Sequence, residues 1–475
     1  MRPKTTDLTA FSVALTYGVI TAIFALFRYT SFTLTVGDLA VYSQALWGNL
    51  HGDFMRVTLF KHAHQSAEAI SFFNLHFSPV LVLVTPIFSL IPLPEGLIVL
   101  KCLLIATAGL LLYKIGKERV SPAESLVVML LFLISPNSLS AVHDSFHLDY
   151  FGPVFFFAAF FFLTRERFLP FMIFAALFAM TKELFIPVLF TFSLWAAVSG
   201  KTKRWIWGPA ILAVIYGSVA WFALERLHHH APPAAAWDFR SALIAGLGPG
   251  SLLREFGGER LRENLWFFVK GAKFLTFFTP AFLFWVPSYV LNLGFRLGFG
   301  DHYGTLISAL MFLTLPMGLQ NLKRFLSRFL VSITKTLIAG LFVFGILTSF
   351  ESLKILHPRH LRSNPRLASM KAALSLVGPA SSVSASEIFL PSLSKRRELD
   401  SLNHEVLKSY YEYILIDLDR SDNTPAEWQV VQEYWKPFLE DSGSYERLFD
   451  RESIRLYHLK KDASRVKMTQ WNPSK

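Results

Sequence analysis

Long hydrophobic runs, separated by short polar segments, cover most of residues 1–350. Eleven of them predict membrane-spanning helices, at 8–28, 96–113, 123–136, 151–164, 168–181, 184–198, 206–224, 263–279, 281–296, 304–322 and 331–349. The first run has no charge from Leu8 to Phe27 and is long enough to cross a hydrocarbon layer of roughly 30 Å. Because further runs follow it and no clear small-residue cleavage site does, we interpret it as a span and not as a signal peptide.

The segment "FSPVLVLVTPIFSLIP" at 77–92 differs from the other hydrophobic runs. It is short and contains Pro79 and Pro86, which predicts a re-entrant or interfacial helix and not a crossing. If it does not cross and the N-terminus is cytoplasmic, the basic loops between later spans face the cytoplasm, as the positive-inside rule requires. Those loops carry Lys114, Lys117, Arg119, Arg165, Arg167, Lys201, Lys203, Arg204, Lys323, Arg324 and Arg328.

Two segments leave this topology open to alternatives. The loop at 225–262 carries five arginines that the topology places outside, although acidic residues offset them. The segment 263–279 contains Lys270 and Lys273, so an amphipathic helix on the membrane surface is the alternative to a span there. With eleven crossings, the region after residue 350 lies outside the cytoplasm.

The pattern changes after residue 350, where strand-like and polar helical segments replace the long hydrophobic runs. The strand-like segments are "YYEYILIDL" at 410–418 and "ESIRLYHL" at 452–459, and the polar helical segment is 423–441. We therefore predict an all-α polytopic membrane domain at 1–350, with about eleven transmembrane helices and a first extracytoplasmic loop at 29–95. A small soluble extracytoplasmic α/β domain at 351–475 follows it.

Composition and charge agree with a membrane protein. The 475-residue chain is 53% hydrophobic and 17% charged, which is too apolar for an ordinary soluble protein. The single cysteine, Cys102, lies in a hydrophobic run, so the chain forms no internal disulfide and we expect no cysteine metal site. The formal net charge is +12, but no basic stripe with interleaved aromatic residues occurs, so we expect no nucleic-acid partner.

The stretch "TVGDLAVYSQALWGNLHGD" at 35–53 places a lone carboxylate, Asp38, soon after the first span. Apolar residues follow it at helical spacing, namely Leu39, Tyr42, Leu46 and Leu50. Asp38 therefore opens a predicted helix. It is either an N-cap, a position for which Asp is preferred, or a general base held beside an acceptor hydroxyl.

Histidines and carboxylates are concentrated in "HDSFHLDY" at 143–150, between two predicted spans. His143 and His147 are four residues apart and share one face if the segment is helical, with Asp144 and Asp149 beside them. This set could hold a divalent metal ion, for which Asp144 and His147 are the candidate ligands, or it could position a phosphate. The alternative is a polar cap between two spans.

Lys182 and Glu183 lie between two hydrophobic runs with no loop around them. Charged residues at such a junction are usually paired or functional, and a lysine there suits a lipid phosphate or pyrophosphate. The alternative is that both side chains extend to the membrane interface. Lys101, one turn into its span, raises the same question. The triplet at 228–230, three histidines in a loop rich in Pro and Ala, is interpreted as solvated sequence.

The predicted topology brings these polar groups to one membrane face. Loops far apart in the sequence deliver carboxylates, imidazoles and an ammonium group to the outer surface, where a site for a lipid-carried substrate would be built. The segment "GDHYG" at 300–304 adds two further side chains there. The candidate substrate-binding residues are His76, His143, His147, Asp149, Lys182, Glu183, His302 and Tyr303.

The order of several motifs resembles a bacterial membrane-protein family, domain-of-unknown-function family 2079, over roughly residues 30–460. The motifs are "GDLAVYSQALW", "LHFSPVLVLVTPIFSLIP", "SFHLDY", "TKEL", "DHYG", "SSVSASEIFLPSLSKRREL" and "YILIDL". That family is similar to the GT-C type of integral-membrane glycosyltransferases. Those enzymes take sugars from polyprenyl-phosphate donors at the outer face and use an acidic residue of the first large extracytoplasmic loop.

The resemblance implies roles for individual residues. It makes Asp38 the candidate catalytic acid or base, and it makes His76 part of a His-x-Ser-Pro element. His147 matches the histidine that precedes a span in the family, and Lys182 with Glu183 matches a Lys-Glu-Asp motif.

Two positions depart from the family pattern. Leu184 replaces the acidic third residue of the Lys-Glu-Asp motif, and Ser145 stands where an acidic residue often precedes Phe-His. If those carboxylates bind metal in relatives, this chain lacks two of the ligands. We therefore keep a divalent metal ion as a candidate cofactor and assign no other.

The resemblance predicts a glycosyltransferase of the bacterial inner membrane. It would transfer a hexosyl or pentosyl group from a polyprenyl-phosphate-linked donor in the bilayer to an unknown glycan, lipid or protein acceptor at the outer face. The transferase reading rests on fold analogy. The alternatives are a transporter or lipid-handling protein without covalent chemistry, and a scaffold in which Asp38 is only a cap.

Overall fold

The computed structural model describes residues 5–34, 37–59, 69–228, 258–294, 302–329, 331–357, 361–402, 410–419, 424–441 and 443–461. Within these ranges the protein is mostly helical, with a small sheet near the C-terminus. The α-helices are α1 (Thr5–Thr30), α2 (Gly37–Leu50), α3 (Val80–Phe88), α4 (Pro94–Gly116), α5 (Pro122–Leu133), α6 (Pro136–Leu139), α7 (Phe151–Thr164), α8 (Phe168–Ala179), α9 (Leu189–Val198), α10 (Lys203–His228), α11 (Gly258–Val269), α12 (Val286–Gly294), α13 (Tyr303–Phe329), α14 (Val331–Phe350), α15 (Leu367–Ser375), α16 (Pro425–Val430) and α17 (Lys436–Asp441).

Helical structure is present at each of the eleven predicted hydrophobic runs. In the described part of the chain, α1, α4, α10 and α13 are long and apolar enough to cross a membrane. A bent pair, Pro122–Leu133 with Pro136–Val142, makes a fifth span if it counts as one. The other apolar helices are shorter, so eleven separate crossings remain a prediction.

Local sequence explains how the bent pair forms. Pro122 occupies the first position of α5, where its missing N–H costs no hydrogen bond, and Ser121 with Glu124 forms a capping box. Shortly after α5 ends, Ser135 caps α6 and Pro136 starts it. The two helices meet at 56°, and the polar segment at 143–150 follows this bend.

The two segments for which the sequence left an alternative to a membrane crossing, 77–92 and 263–279, have irregular structures. In the hydrophobic run at 77–92, α3 has nine residues with Pro86 inside, about 14 Å of helix and too short to cross a bilayer. In the run at 263–279, α11 ends and a 3₁₀ stretch, Lys270–Phe278, follows with positive φ at Gly271 and Ala272. Lys273 is 1% exposed, so its ammonium does not face water as it would on a surface helix.

The C-terminal region contains the predicted α/β structure. Its strands are β3 (Val383–Ala385), β4 (Leu399–Ser401), β5 (Tyr413–Asp417), β6 (Tyr445–Arg451) and β7 (Ile454–Leu459). Two earlier strands, β1 (Arg56–Val57) and β2 (Ile70–Ser71), lie in the loop after α2 and pair antiparallel with each other. The order in the sheet is β4-β3-β5-β7-β6, with β3 parallel to β4 and β5 and the other pairs antiparallel. The strands predicted at 410–418 and 452–459 are β5 and β7.

The C-terminal sheet packs on the loop that follows α1, which the sequence predicts to be extracytoplasmic. One hydrophobic core contains Leu39 and Leu46 of α2 together with Val383 and Phe389 of the C-terminal region. Polar contacts join the same surfaces: the Gln44 side-chain amide donates to the carbonyl of Arg396 at 3.2 Å, and the N–H of Leu399 donates to Thr58 Oγ1 at 3.0 Å. The C-terminal sheet therefore holds α2, the helix that carries Asp38.

Candidate functional site

Asp38 lies in the first turn of α2, and its side chain is 49% exposed. Its Oδ2 is 3.5 Å from Nδ1 of His147, which belongs to a loop more than 100 residues away. The next N–H of the helix, that of Leu39, donates to Ser145 Oγ at 2.7 Å. A hydroxyl from the distant loop thus satisfies this N-terminal donor, while the Asp38 carboxylate faces a histidine.

His147 lies between two carboxylates. Its Nδ1 faces Asp38, and its Nε2 is 3.5 Å from Asp144 Oδ1. Residues 143–147 form an irregular turn and not a helix, so the helical face considered for His143 and His147 does not occur. Within this turn Asp144 and His147, three residues apart, lie side by side.

His302, immediately before α13, completes this cluster. Its ring stacks on that of His147, with centroids 3.4 Å apart and planes 7° apart, and its Nδ1 is 3.5 Å from Asp144 Oδ2. Burial opposes the charge of Asp144, but hydrogen bonds to both histidines outweigh it and hold the pKa of Asp144 well below its usual range. Burial likewise opposes protonation of His302, but Asp144 and Asp149 raise its pKa.

The ligand atoms of Asp144, His147 and His302 all lie within 4.8 Å of one another. A carboxylate with two imidazoles suits a divalent transition metal. An imidazole binds a metal in the plane of its ring, however, and no point lies in the planes of two rings stacked in parallel at 3.4 Å. As placed, Asp144 and one histidine fit a cation, and the second histidine does not join them.

Lys182 and Asp149 form a buried ion pair beside the cluster. Lys182 Nζ is 2.9 and 3.2 Å from the two carboxylate oxygens of Asp149, and the side chains are 8% and 6% exposed. The ammonium also lies 4.7 Å from the ring centroid of Tyr303. Much of the lysine charge is therefore neutralised inside the protein, so the Lys182 side chain does not extend to the membrane interface.

Glu183 turns to a different partner from Lys182. Its Oε1 is 2.8 Å from His76 Nδ1, and the His76 side chain is partly exposed. Burial opposes the charge of Glu183, but the neighbouring His76 lowers its pKa. The junction between α8 and α9 therefore connects the loop of His76 with the buried pair at Lys182.

The structure thus unites most of the predicted site residues. Asp38, Asp144, His147 and His302 form one cluster, the Lys182 pair with Tyr303 lies next to it, and His76 with Glu183 forms a separate pair. His143 is not one of the three clustered ligand donors. The side chains of the histidine triplet at 228–230 lie outside the described residues.

Sequence reasoning missed Glu387 of the C-terminal region. Burial, together with the charge of nearby Asp38, raises the pKa of this carboxyl group. Glu387 belongs to "SSVSASEIFLPSLSKRREL", which contributed to the family resemblance, but nothing in its spacing connects it with Asp38. Only the packing of the sheet against α2 brings the two carboxyl groups together.

The fold is similar to that of solved structures of another protein, ArnT. ArnT from Cupriavidus metallidurans, in a crystal structure bound to undecaprenyl phosphate, superimposes with a TM-score of 0.54 at 11% identity, covering 96% of this chain and 98% of ArnT. The apo structure of the same enzyme gives a TM-score of 0.50 at 10% identity, covering 92% and 97%. At such identities the similarity establishes the fold alone.

The family resemblance is confirmed over residues 28–228, which is less than half of the chain, and the family motifs predicted after residue 228 lie outside the match. Residues 28–228 match the family model described as "Predicted membrane protein (DUF2079)". This range includes α2, the turn at 143–147 and the junction of Lys182 and Glu183. A comparison with curated proteins finds no match by sequence.

Proposed function

We propose that this protein is a membrane glycosyltransferase that uses a polyprenyl-phosphate-linked sugar as donor. The observation that carries the proposal is the position of Asp38, a half-exposed carboxylate beside His147 in a cluster of buried ionisable groups. Clusters of this kind are typical of active sites. The GT-C-like fold agrees with the proposal by analogy only.

In the proposed reaction Asp38 is the general base. It takes the proton of an acceptor hydroxyl while that oxygen forms a bond to the anomeric carbon of the sugar. The bond from the anomeric carbon to the lipid phosphate oxygen breaks, and the phosphate departs with the electron pair. Burial opposes protonation of His302, but Asp144 raises its pKa, and His302 stabilises the charge of that phosphate. Lys182 stays paired with Asp149 beside the cluster.

A divalent cation at Asp144 with one histidine remains part of the proposal, and no step of the reaction above depends on it. Isothermal titration of the purified protein with Mn²⁺ or Zn²⁺ tests this. We expect Asp144→Asn to weaken cation binding about tenfold or more. His51→Gln is the control, because His51 is exposed and its ring contacts Trp47, outside the cluster. Equal binding by Asp144→Asn and the native protein would exclude this site.

The transfer itself is tested in a strain that lacks the gene and carries either the native gene or Asp38→Asn. We expect the Asn form to behave as the deletion does, with accumulated lipid-linked sugar and loss of the sugar from the surface glycans or lipids. Asn keeps the size of the side chain but cannot accept the proton, so the loss is specific to the base.

Asp53→Asn is the matched control for this experiment. Asp53 lies just beyond the end of α2, and its carboxylate pairs with Arg397 and not with the histidine cluster. We expect it to restore the native lipid and glycan pattern. Full rescue by Asp38→Asn at native protein level would contradict the proposed mechanism.

A further inference from the structure

Lys101 is a fully buried lysine in the apolar helix α4, and its charge has an unusual set of partners. Its Nζ donates to the backbone carbonyl of Asp144 and, at 3.4 Å, to that of Ser145. Within the described residues, no carboxylate forms an ion pair with Lys101. Charged groups inside a membrane protein are costly, so two carbonyls that converge on one ammonium require an explanation.

Ser145 extends the contact to α2. Its hydroxyl accepts the N–H of Leu39 at 2.7 Å, and its own N–H donates to Asp144 Oδ1 at 2.8 Å. A continuous series of hydrogen bonds thus runs from Lys101 through the turn at 144–145 to the first turn of α2. The series includes Asp144 and ends next to Asp38, and these are the two carboxylates that face the ring nitrogens of His147.

We propose that Lys101 and Ser145 are positioning residues that fix the turn at 144–147 against the start of α2 and so set the spacing of Asp38, His147 and Asp144. A lysine suits this role because its ammonium has three donors and can bind two carbonyls at once. The role in geometry is independent of the reaction, whereas any effect on transfer rests on the proposed function.

The contacts of Lys101 set it apart from a substrate-binding lysine. Its side chain is 0% exposed and its ammonium is directed at backbone oxygens, so it does not reach a phosphate. The ammonium of Lys182, in contrast, forms an ion pair with the Asp149 side chain and lies over the ring of Tyr303. Lys101 acts on the site through the backbone of the turn.

Hydrogen–deuterium exchange of the full chain in detergent, read by mass spectrometry, tests the proposal without any substrate. In Lys101→Met we expect amide exchange in peptides covering 37–42 and 143–149 to rise about tenfold or more, since opening of this contact exposes those amides. Lys101→Arg, which keeps the donors, is expected to restore much of the protection.

Lys273→Met is the matched control. Lys273 is equally buried, but its ammonium lies 3.5 Å from the ring centroid of Phe267 and contacts neither loop of the site. We expect native exchange in both peptides. Ser145→Ala supplies a second variant if Lys101→Met does not fold, and it is expected to raise exchange at Leu39 and its neighbours.

Unchanged exchange in both peptides of folded Lys101→Met, or at Leu39 in Ser145→Ala, would overturn the positioning role. If exchange rises as expected and the strain assay shows no transfer by the native protein, the positioning role is supported and only the proposed function fails. If the native protein is active, we expect Lys101→Met to lower kcat about 10- to 100-fold, with Lys101→Arg retaining more activity than Lys101→Met.

Discussion

At the scale of single residues, the environment of each charge differs from what its neighbours in sequence indicate. Asp38 has the sequence context of an N-cap, yet a hydroxyl from Ser145 accepts the N–H of Leu39 and the carboxylate faces His147. Lys182 has the context of a phosphate-binding lysine at a membrane junction, yet its ammonium is shared by both oxygens of Asp149. Each role depends on a partner supplied by another part of the chain.

The buried pair of Lys182 and Asp149 leads to a prediction about stability. Lys182→Met leaves the Asp149 carboxylate buried without its counter-charge, and we expect a loss of about 3–5 kcal/mol in the free energy of unfolding. Asp149→Asn is expected to be similarly harmful. The double variant, which removes both charges, should recover part of the loss. Thermal unfolding in detergent measures this, and additive effects of the two substitutions would contradict the pairing.

At the scale of elements, close contacts between helices place the loops of the site. The helix α13, which begins directly after His302, packs against the 3₁₀ stretch at 270–278. At Gly318 of this helix an added Cβ would lie 2.0 Å from the carbonyl oxygen of Leu275. A backbone atom cannot move away as a flexible side chain can. Gly318 therefore permits the contact that holds α13, and with it His302, in place.

We expect Gly318→Ala to lower the thermal stability of the protein, by more than the 1–3 kcal/mol typical of overpacking. Gly340→Ala in α14 is the matched control, because nothing lies within 4 Å of a Cβ there. Alanine favours helix over glycine, so the control should be neutral or slightly stabilising. Equal melting temperatures for the two variants would show that α13 does not pack as described.

At the scale of the whole molecule, the C-terminal sheet and the membrane domain share one core. Contacts of Gln44 with Arg396 and of Thr58 with Leu399 attach the sheet to the first loop, and Glu387 reaches the neighbourhood of Asp38. The backbone N–H of Glu387 donates to Glu427 Oε1 at 2.8 Å. Glu427 thus contacts Glu387, which in turn lies near Asp38.

Glu427 provides a test by pH. Burial, followed by the charge of Glu387, raises its pKa to about 8. Between its ordinary value near 4.5 and this value, the folded protein keeps a proton that the unfolded chain has released, so stability falls as the pH rises through that window. Glu427→Gln, which mimics the neutral carboxyl group, is expected to reduce the loss of thermal stability between pH 6 and pH 9.

Glu433→Gln is the control for this measurement, since Glu433 is exposed on the same helical segment and, among the described residues, accepts a hydrogen bond from Gln429. It should leave the pH dependence unchanged. An unchanged pH dependence in Glu427→Gln would mean that Glu427 is ionised in the folded protein at neutral pH.

The sequence by itself determined the helical membrane domain, two strands of the C-terminal sheet and the residue types of the site. These features depend on local pattern, because an apolar run must satisfy its backbone hydrogen bonds internally and alternating residues favour a strand. It also supplied the family resemblance that singled out Asp38, His147 and Lys182. The strands β3 and β4 were not predicted, because a strand of three residues is too short to show the alternation of apolar and polar residues.

Only the tertiary structure decided which residues meet. The stacking of His147 on His302, the pairing of Lys182 with Asp149 and the contact of Lys101 with the turn at 144–145 join segments far apart in the chain. Such contacts follow from how helices bend and pack. They therefore leave no periodic signal in the sequence, and the identity of each partner becomes visible only when the loops are brought together in space.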